Sequence, residues 1–317
     1  MLNDNLRVVK SQIKPHFAGY SLIDYLVEKF PYNDREGWLL IIANKQIHLN
    51  GEVAGSTDTI KSDDILEYFH QNHSEPEVDS DFRIIFESDN YLVIDKPGNL
   101  PVHPAGKFFH NTLWSILKKD GYKPHFINRL DRETSGLILV ALNKDTASAL
   151  GKQIQEKKVF KKYLALVEGE FPESIDAKGY LEKDWGSEIE KKLIFKADPD
   201  FEKHGKNGVH SFFEKKQCKN GLSLLECVIE TGRMHQIRAT LKSLGFPLAG
   251  DKIYGVDESF YLKFIHKKMT EEDWGILRMK RQALHAHTLR FLDPVSRKEV
   301  EYVSKMPQDM CEVFDLI

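Results

Sequence analysis

The spacing of apolar positions changes several times along the chain, and each change predicts an element. Over 20–30, YSLIDYLVEKF places Leu22, Ile23, Leu26 and Phe30 at helical spacing. The next stretch, EGWLLIIANKQIHLNGEVA (36–54), predicts a second helix and then a short hairpin turning at Asn50-Gly51, the strongest two-residue hairpin signal. A polar, acidic segment, HQNHSEPEVDSD (70–81), separates this unit from the remainder. The predicted division is a module at 1–75, a linker at 76–82 and a larger domain at 83–317.

Beyond the linker, RIIFESDNYLVIDKP (83–97) reads as two β-branched runs joined by a Ser-Asp-Asn turn. GLILVALN (136–143) predicts a buried strand. Asn143 or Asp145 can cap a helix across 144–158, with Ala147, Leu150 and Ile154 on one face. KKYLALVEGEF and LSLLECVIET predict further strands. RMHQIRATLKSLG (233–245) predicts a helix with Thr231 as N-cap, ended by Gly245. LHAHTLRFLDPVSRKEVEYVSKMP (284–307) predicts a hairpin with Asp293-Pro294 in its turn. Strands outnumber helices without strict alternation, which favours an α+β fold with a mixed sheet.

Composition narrows the class. The 317 residues suit about two domains. Three cysteines without a CxxC pair argue against a disulfide framework or a zinc ribbon. No run of about 18 apolar residues predicts a membrane span. The N-terminus lacks the apolar block of a secretion signal, so the expected location is cytoplasmic. Net charge is −3, unevenly divided: residues 1–81 hold 7 Lys and Arg against 14 Asp and Glu, and the rest 38 against 34. The larger domain is mildly basic, the smaller plainly acidic.

Three stretches carry candidate chemistry. In INRLDRETSGLILVALN (127–143), Asp131 stands two residues after Arg129 and just ahead of an apolar tract. A carboxylate there is partly desolvated and needs a cation to stay ionised, although a surface ion pair in a turn would look the same. In ETGRMHQIRATLKSLG (230–245), Arg233 at a helix start suits an anion, and His235 and Arg238 share a helix face. In KKVFKKYLALV (157–167), lysines 157, 158, 161 and 162 frame Phe160 and Tyr163, as in a nucleic-acid groove or simply a solvated helix end.

In family order, NRLDRETSGLILVALN, KKYLALVEGE, GKNGVHSFF, ETGRMHQIRATLKSLGFPLAGDKIYG and RQALHAHTLRF resemble the signature blocks of RluA-like pseudouridine synthases, over about 83–307. More weakly, SLIDYLVEKF…QIHLNGEVAGSTDTIKSDDIL resembles the RNA-binding module first seen in ribosomal protein S-four. The resemblance implies a mainly antiparallel mixed sheet flanked by helices, and a small N-terminal α/β module. It further implies isomerisation of uridine in ribosomal or transfer RNA by a monomer, with no cofactor, metal or membrane. On the residues it implies Asp131 as catalytic carboxylate, Arg233 as its cationic partner, Tyr163 packed on the flipped uracil and Arg129 in base displacement. Expected phosphate contacts are Lys161, Lys162, His235, Arg238 and, from the segment 256–281, Lys280 and Arg281. Two departures stand out: Asn128 replaces a usual histidine, and the N-terminal module is acidic where the family's is basic. Alternatives from other classes are an RNA-binding protein without activity and a nucleoside hydrolase. The latter needs a second carboxylate or a metal.

Weaker signals read as structural. His285 and His287 alternate on one strand face without a third ligand. The acidic triplet at 79–81 lacks the rest of a calcium loop. The glycosylation triplet at 72–74 lacks a secretory route. No phosphate-binding loop or GxGxxG occurs. Thr270 and Asp273 form a capping arrangement for a short helix.

Overall fold

The structure, a computed structural model, describes residues 7–30, 33–70, 75–106 and 108–316. The triplet at 72–74 and part of the acidic separator lie outside these. The chain divides into two compact units, Met1–Pro76 and Glu77–Ile317.

The first unit comprises β1 (Arg7–Gln12), α1 (Leu22–Lys29), α2 (Arg35–Ala43), β2 (Ile47–Leu49), β3 (Glu52–Val53) and β4 (Ile65–His70). Ser21 caps α1 through Asp24 N, and Asp34 caps α2 through Gly37 N. Asn50 and Gly51 both take positive φ, as the tight β2–β3 turn requires. The antiparallel order β1-β4-β2-β3 packs Leu22, Leu26, Trp38 and Ile47 into one core.

The second unit opens with β5 (Arg83–Glu87), β6 (Tyr91–Lys96), α3 (Leu113–Lys119), β7 (His125–Phe126), β8 (Ser135–Ala141), α4 (Lys144–Gln155) and β9 (Phe160–Glu168). It continues with β10 (Ser174–Lys183), β11 (Leu193–Ala197), β12 (Gly208–Lys219), β13 (Leu222–Ile229) and α5 (Gln236–Ser243). It closes with α6 (Ser259–Ile265), α7 (Glu271–Leu277), β14 (Leu284–Leu292), β15 (Glu299–Val303) and α8 (Gln308–Leu316). One sheet runs β11-β10-β12-β13-β9-β14-β8-β6-β5, antiparallel except at β14–β8. The fold is therefore α+β with a mixed, mainly antiparallel sheet. Strand β8 is buried throughout, which accounts for its unbroken apolar run: Ile138 and Val140 face one core, Leu137 and Leu139 the other.

Three local expectations change. Helix α5 starts at Gln236 because His235 takes a left-handed φ of 58° and serves as N-cap; Thr231 instead donates its hydroxyl to Gln236 Oε1 at 2.8 Å. Helix α4 is capped by Asn143 and stops at Gln155, before the positive φ of Lys157. Strands β10 to β12 were not foreseen. Their pattern of alternating burial mixes charged and small residues on the outer face, which dilutes any strand signal.

The parallel step is made by close backbone approach. Gly136 has φ +107°, and a Cβ there would stand 2.3 Å from Ala286 O and 2.6 Å from Ala286 N. Gly136→Ala is expected to destabilise the second unit by more than about 2 kcal/mol, read as a lower urea midpoint of its unfolding transition.

Candidate active site

The loop between β7 and β8 is fastened along its length. Asn128, where the resemblance implied a histidine, accepts from Leu139 N at 2.8 Å and donates to Leu137 O at 3.5 Å, so its amide edge pins the loop to β8. Leu130 is buried as an apolar anchor. Behind the turn, Lys96 Nζ and Leu100 N both donate to Arg132 O, each at 3.1 Å. Glu133 accepts from Lys252 Nζ at 2.9 Å, and its carbonyl accepts from Arg281 at 3.2 Å. Arg129 is left exposed on this loop, without an ion pair among the described residues.

These fastenings present Asp131 to the Arg238 guanidinium. Its Oδ2 accepts from Arg238 Nη1 at 2.7 Å and, more weakly, from Gln282 Nε2 at 3.4 Å. Arg238 also donates Nε and Nη2 to both oxygens of Asp251, at 2.6 and 2.9 Å. Asp251 is fully buried and takes two further bonds from Ile253 N and Tyr254 N. One guanidinium thus serves two carboxylates, with a net charge of −1. The Asp131 side chain keeps 31% of its surface exposed, whereas Asp251 keeps none. Burial acts to raise the Asp131 pKa, but the Arg238 charge and hydrogen bond outweigh it and hold the carboxyl below its ordinary 3.8.

Two aromatic groups complete the site. Tyr163 is buried on β9, and its phenol is pushed up by burial and then by the Asp131 charge, so it stays neutral. Its hydroxyl makes no hydrogen bond among the described residues. His235 Nδ1 meets the Tyr254 hydroxyl at 2.9 Å, and its Nε2 lies 4.0 Å from Asp131 Oδ2. Burial and the Arg238 charge push His235 down to about 4, so it is neutral near pH 7. Tyr254 in turn lies under the Arg238 guanidinium, 4.9 Å from ring centre.

Several expectations are corrected here. Arg233 does not pair with Asp131; it lies outside the helix in the exposed turn ahead of α5, and Arg238, one turn into that helix, takes its place. Arg238 was expected on a solvated face toward phosphate, but between two carboxylates it is buried and spent. Arg281 is likewise buried in a forked pair with Asp309 at 2.5 and 2.7 Å. Lys162 pairs with Glu226 across the strands at 2.8 Å. His235 packs edge-on to Tyr254 rather than facing out. Lys161 is 7% exposed, with its ammonium against Gly232 of the turn ahead of α5, so the expectation of a phosphate contact there is not overturned. Lys280 alone of these is exposed as expected. His285 and His287 both meet Ser304 O, and among the described residues no group of three His, Cys, Asp or Glu is placed to hold a metal.

Asp251, Gln282 and Tyr254 were missed. The available signal was Asp251 itself, an acid inside the apolar run PLAGDKIYG, which burial obliges to find a cation. A cleft of about 1020 Å³ lies behind the loop against Lys96, Arg132 and Asp309, and includes neither Asp131 nor Tyr163.

Comparison with known proteins identifies the family. Residues 90–243 match the family described as RNA pseudouridylate synthase. A ribosomal large subunit pseudouridine synthase D of Zymomonas mobilis is 33% identical over 77% of this chain and 75% of its own length. The mitochondrial tRNA pseudouridine(32) synthase of Saccharomyces cerevisiae is 34% identical over 77% of this chain, which spans 52% of that protein. The solved structure titled Human RNA Pseudouridylate Synthase Domain Containing 1 is 25% identical over 73% of this chain and 86% of its own, with a TM-score of 0.56. Fold and relatives together define an isomerase of the pseudouridine synthase class. The chain belongs to the RNA pseudouridylate synthase family.

Removing Arg238 leaves Asp251 buried without a counter-charge. Arg238→Met is therefore expected to cost about 3–5 kcal/mol in urea unfolding, while Arg233→Gln stays within about 0.5 kcal/mol.

Proposed function

We propose that this chain isomerises uridines in structured ribosomal or transfer RNA to pseudouridine, with Asp131 as the working carboxylate. The observation that carries this is a single anionic carboxylate, steadied by Arg238 and part-exposed beside a buried, unbonded phenol. The RNA class is supported by relatives named for transfer RNA and for the large ribosomal subunit.

The reaction breaks the bond from ribose C1′ to uracil N1, turns the base, and joins C1′ to C5; C5 gives up its proton and N1 takes one on, so the mass is unchanged. An anion beside the sugar stabilises or traps the positive charge that develops at C1′. Arg238 keeps Asp131 anionic and fixed in direction. Tyr163 offers a flat apolar surface to the base and an unengaged hydroxyl near the proton that must leave. Arg129, exposed on the same loop, suits the space left in the stack when the target turns out, a step costing a few kcal/mol.

The hydrolase reading fares worse. Hydrolysis by paired carboxylates needs a second acid facing the substrate across roughly 5–9.5 Å. Asp251 is the nearby candidate, and it is fully buried with both oxygens engaged.

Treated RNA should show new carbodiimide-dependent reverse-transcription stops at uridines, and Asp131→Ala should abolish them while leaving RNA binding within a few-fold. Wild type giving none on total ribosomal and transfer RNA would refute the assignment. The pH profile carries a sign. Activity requires ionised Asp131, whose pKa lies below 3.8, so this group should leave the rate level down through about pH 5 and remove it only at lower pH. Arg238→Lys, a poorer fork, should move that acid limb upward.

A further inference from the structure

Among the described residues, five Lys or Arg side chains are buried: Lys96, Lys161, Arg238, Lys252 and Arg281. Four have evident partners. Lys96 donates to two carbonyls, Lys252 to Glu133, Arg238 to two aspartates and Arg281 to Asp309. Lys161 has none, although it is 7% exposed and makes neither hydrogen bond nor ion pair. A largely buried lysine whose ammonium has no protein partner carries a desolvation cost, and its neighbourhood increases it. Burial first, and then the like charge of Arg233, push Lys161 down to about 8.

The nearby acids are already engaged. Glu230, one residue before the turn, pairs with Lys157 at 3.6 Å and His210 at 2.9 Å. Glu226 pairs with Lys162 and Lys216. Arg233 is exposed, and its side chain too has no ion pair among the described residues. Two cations therefore stand on either side of Gly232, close enough for the charge of Arg233 to act on Lys161. A Cβ on Gly232 would stand 3.7 Å from Lys161 Nζ, so the ammonium lies directly against this turn. The pair is also tied to the site: Lys161 and Tyr163 lie two apart on β9, hence on one face and roughly 7 Å apart.

We propose that Lys161 and Arg233 form a subsite for one backbone phosphate of the RNA, that of the target nucleotide or its immediate neighbour, beside Asp131 and Tyr163. This rests on the uridine-isomerising reading and adds the point at which the chain grips the strand. The spacing suits a nucleotide whose base lies on Tyr163 and whose phosphate reaches the cation pair. The phosphate supplies the counter-charge that Lys161 lacks among the described residues. Arg233 thereby regains a role that its sequence position suggested, toward the strand rather than toward Asp131.

The test uses the full chain and two RNA probes. With an end-labelled twelve-residue oligouridylate, anisotropy titrations at several salt concentrations should show Lys161→Met and Arg233→Gln each binding roughly tenfold more weakly. Each should also lower the salt slope by about one. In an RNA fragment that wild type isomerises, each phosphate near the target is replaced in turn by an uncharged methylphosphonate. One position should then cost wild type about tenfold in kcat/KM and cost the two variants little. Unchanged salt slopes, or a loss spread evenly over all phosphates, would overturn the subsite. Stability separates a structural role: Lys161→Met should raise or leave unchanged the urea midpoint, because it removes an unpaired buried charge. A lowered midpoint with unchanged binding would mark Lys161 as merely structural. Absence of any isomerised uridine would count against the catalytic reading, while the oligouridylate titration still judges the phosphate contact.

Discussion

The site depends on one guanidinium shared between two carboxylates. Arg238 gives its forked edge to Asp251, which is buried and satisfied by two backbone amides, and its remaining Nη1 to Asp131. Bidentate geometry fixes the plane of the guanidinium, so the third bond arrives in a set direction. Asp251 thus holds the arginine, and the arginine holds the acid that faces outward. Because two negative groups share one positive one, Asp131 is charged without being neutralised. A single carboxylate paired to a single arginine would be a weaker electrostatic influence on a sugar.

The loop that carries Asp131 is built as a braced arch. Its front is the Arg238 bond; its back is the carbonyl contacts of Lys96 and Arg281 and the ion pair of Glu133 with Lys252. Lys252 is itself covered by Phe264 and Trp274, at 5.0 and 5.7 Å from their ring centres, and Arg132 by Phe264 and Phe108. The helices α6 and α7 therefore press on the rear of the loop. For the segment 256–281, which resembled either an RNA-reading insertion or a structural helical pair, these contacts argue for the second role. The large cleft behind the loop belongs to this bracing and not to the reacting groups.

Much of this was legible because some constraints are local. The apolar run of β8 announces a strand buried on both faces, Asn50-Gly51 a hairpin, and Asn143 a helix cap. Asp131 and Tyr163 stand in short, specific motifs. What stayed hidden depends on direction in space. Arg233 and Arg238 are five residues apart and equally cationic; which one meets Asp131 is decided by the left-handed turn at His235, which starts the helix late. Strands β10 to β12 are half-exposed and polar enough to lack a clear period. The partners of Asp131 lie 107 and 151 positions away in sequence, a separation that local pattern cannot bridge.

The distribution of charge across the site follows from the same turn. By sending Arg238 inward and leaving Arg233 outside, it divides the surroundings of Tyr163 into a negative end, at Asp131, and a positive end, at Lys161 and Arg233. A nucleotide undergoing loss of its base has the opposite layout, a phosphate that is always negative and a sugar carbon that becomes positive in the transition state. Only the second charge changes during the reaction, so the positive end contributes mainly to grip and the negative end mainly to rate. A neutral His235 preserves that division, since a second cation beside Asp131 would cancel the excess charge on which the sugar depends.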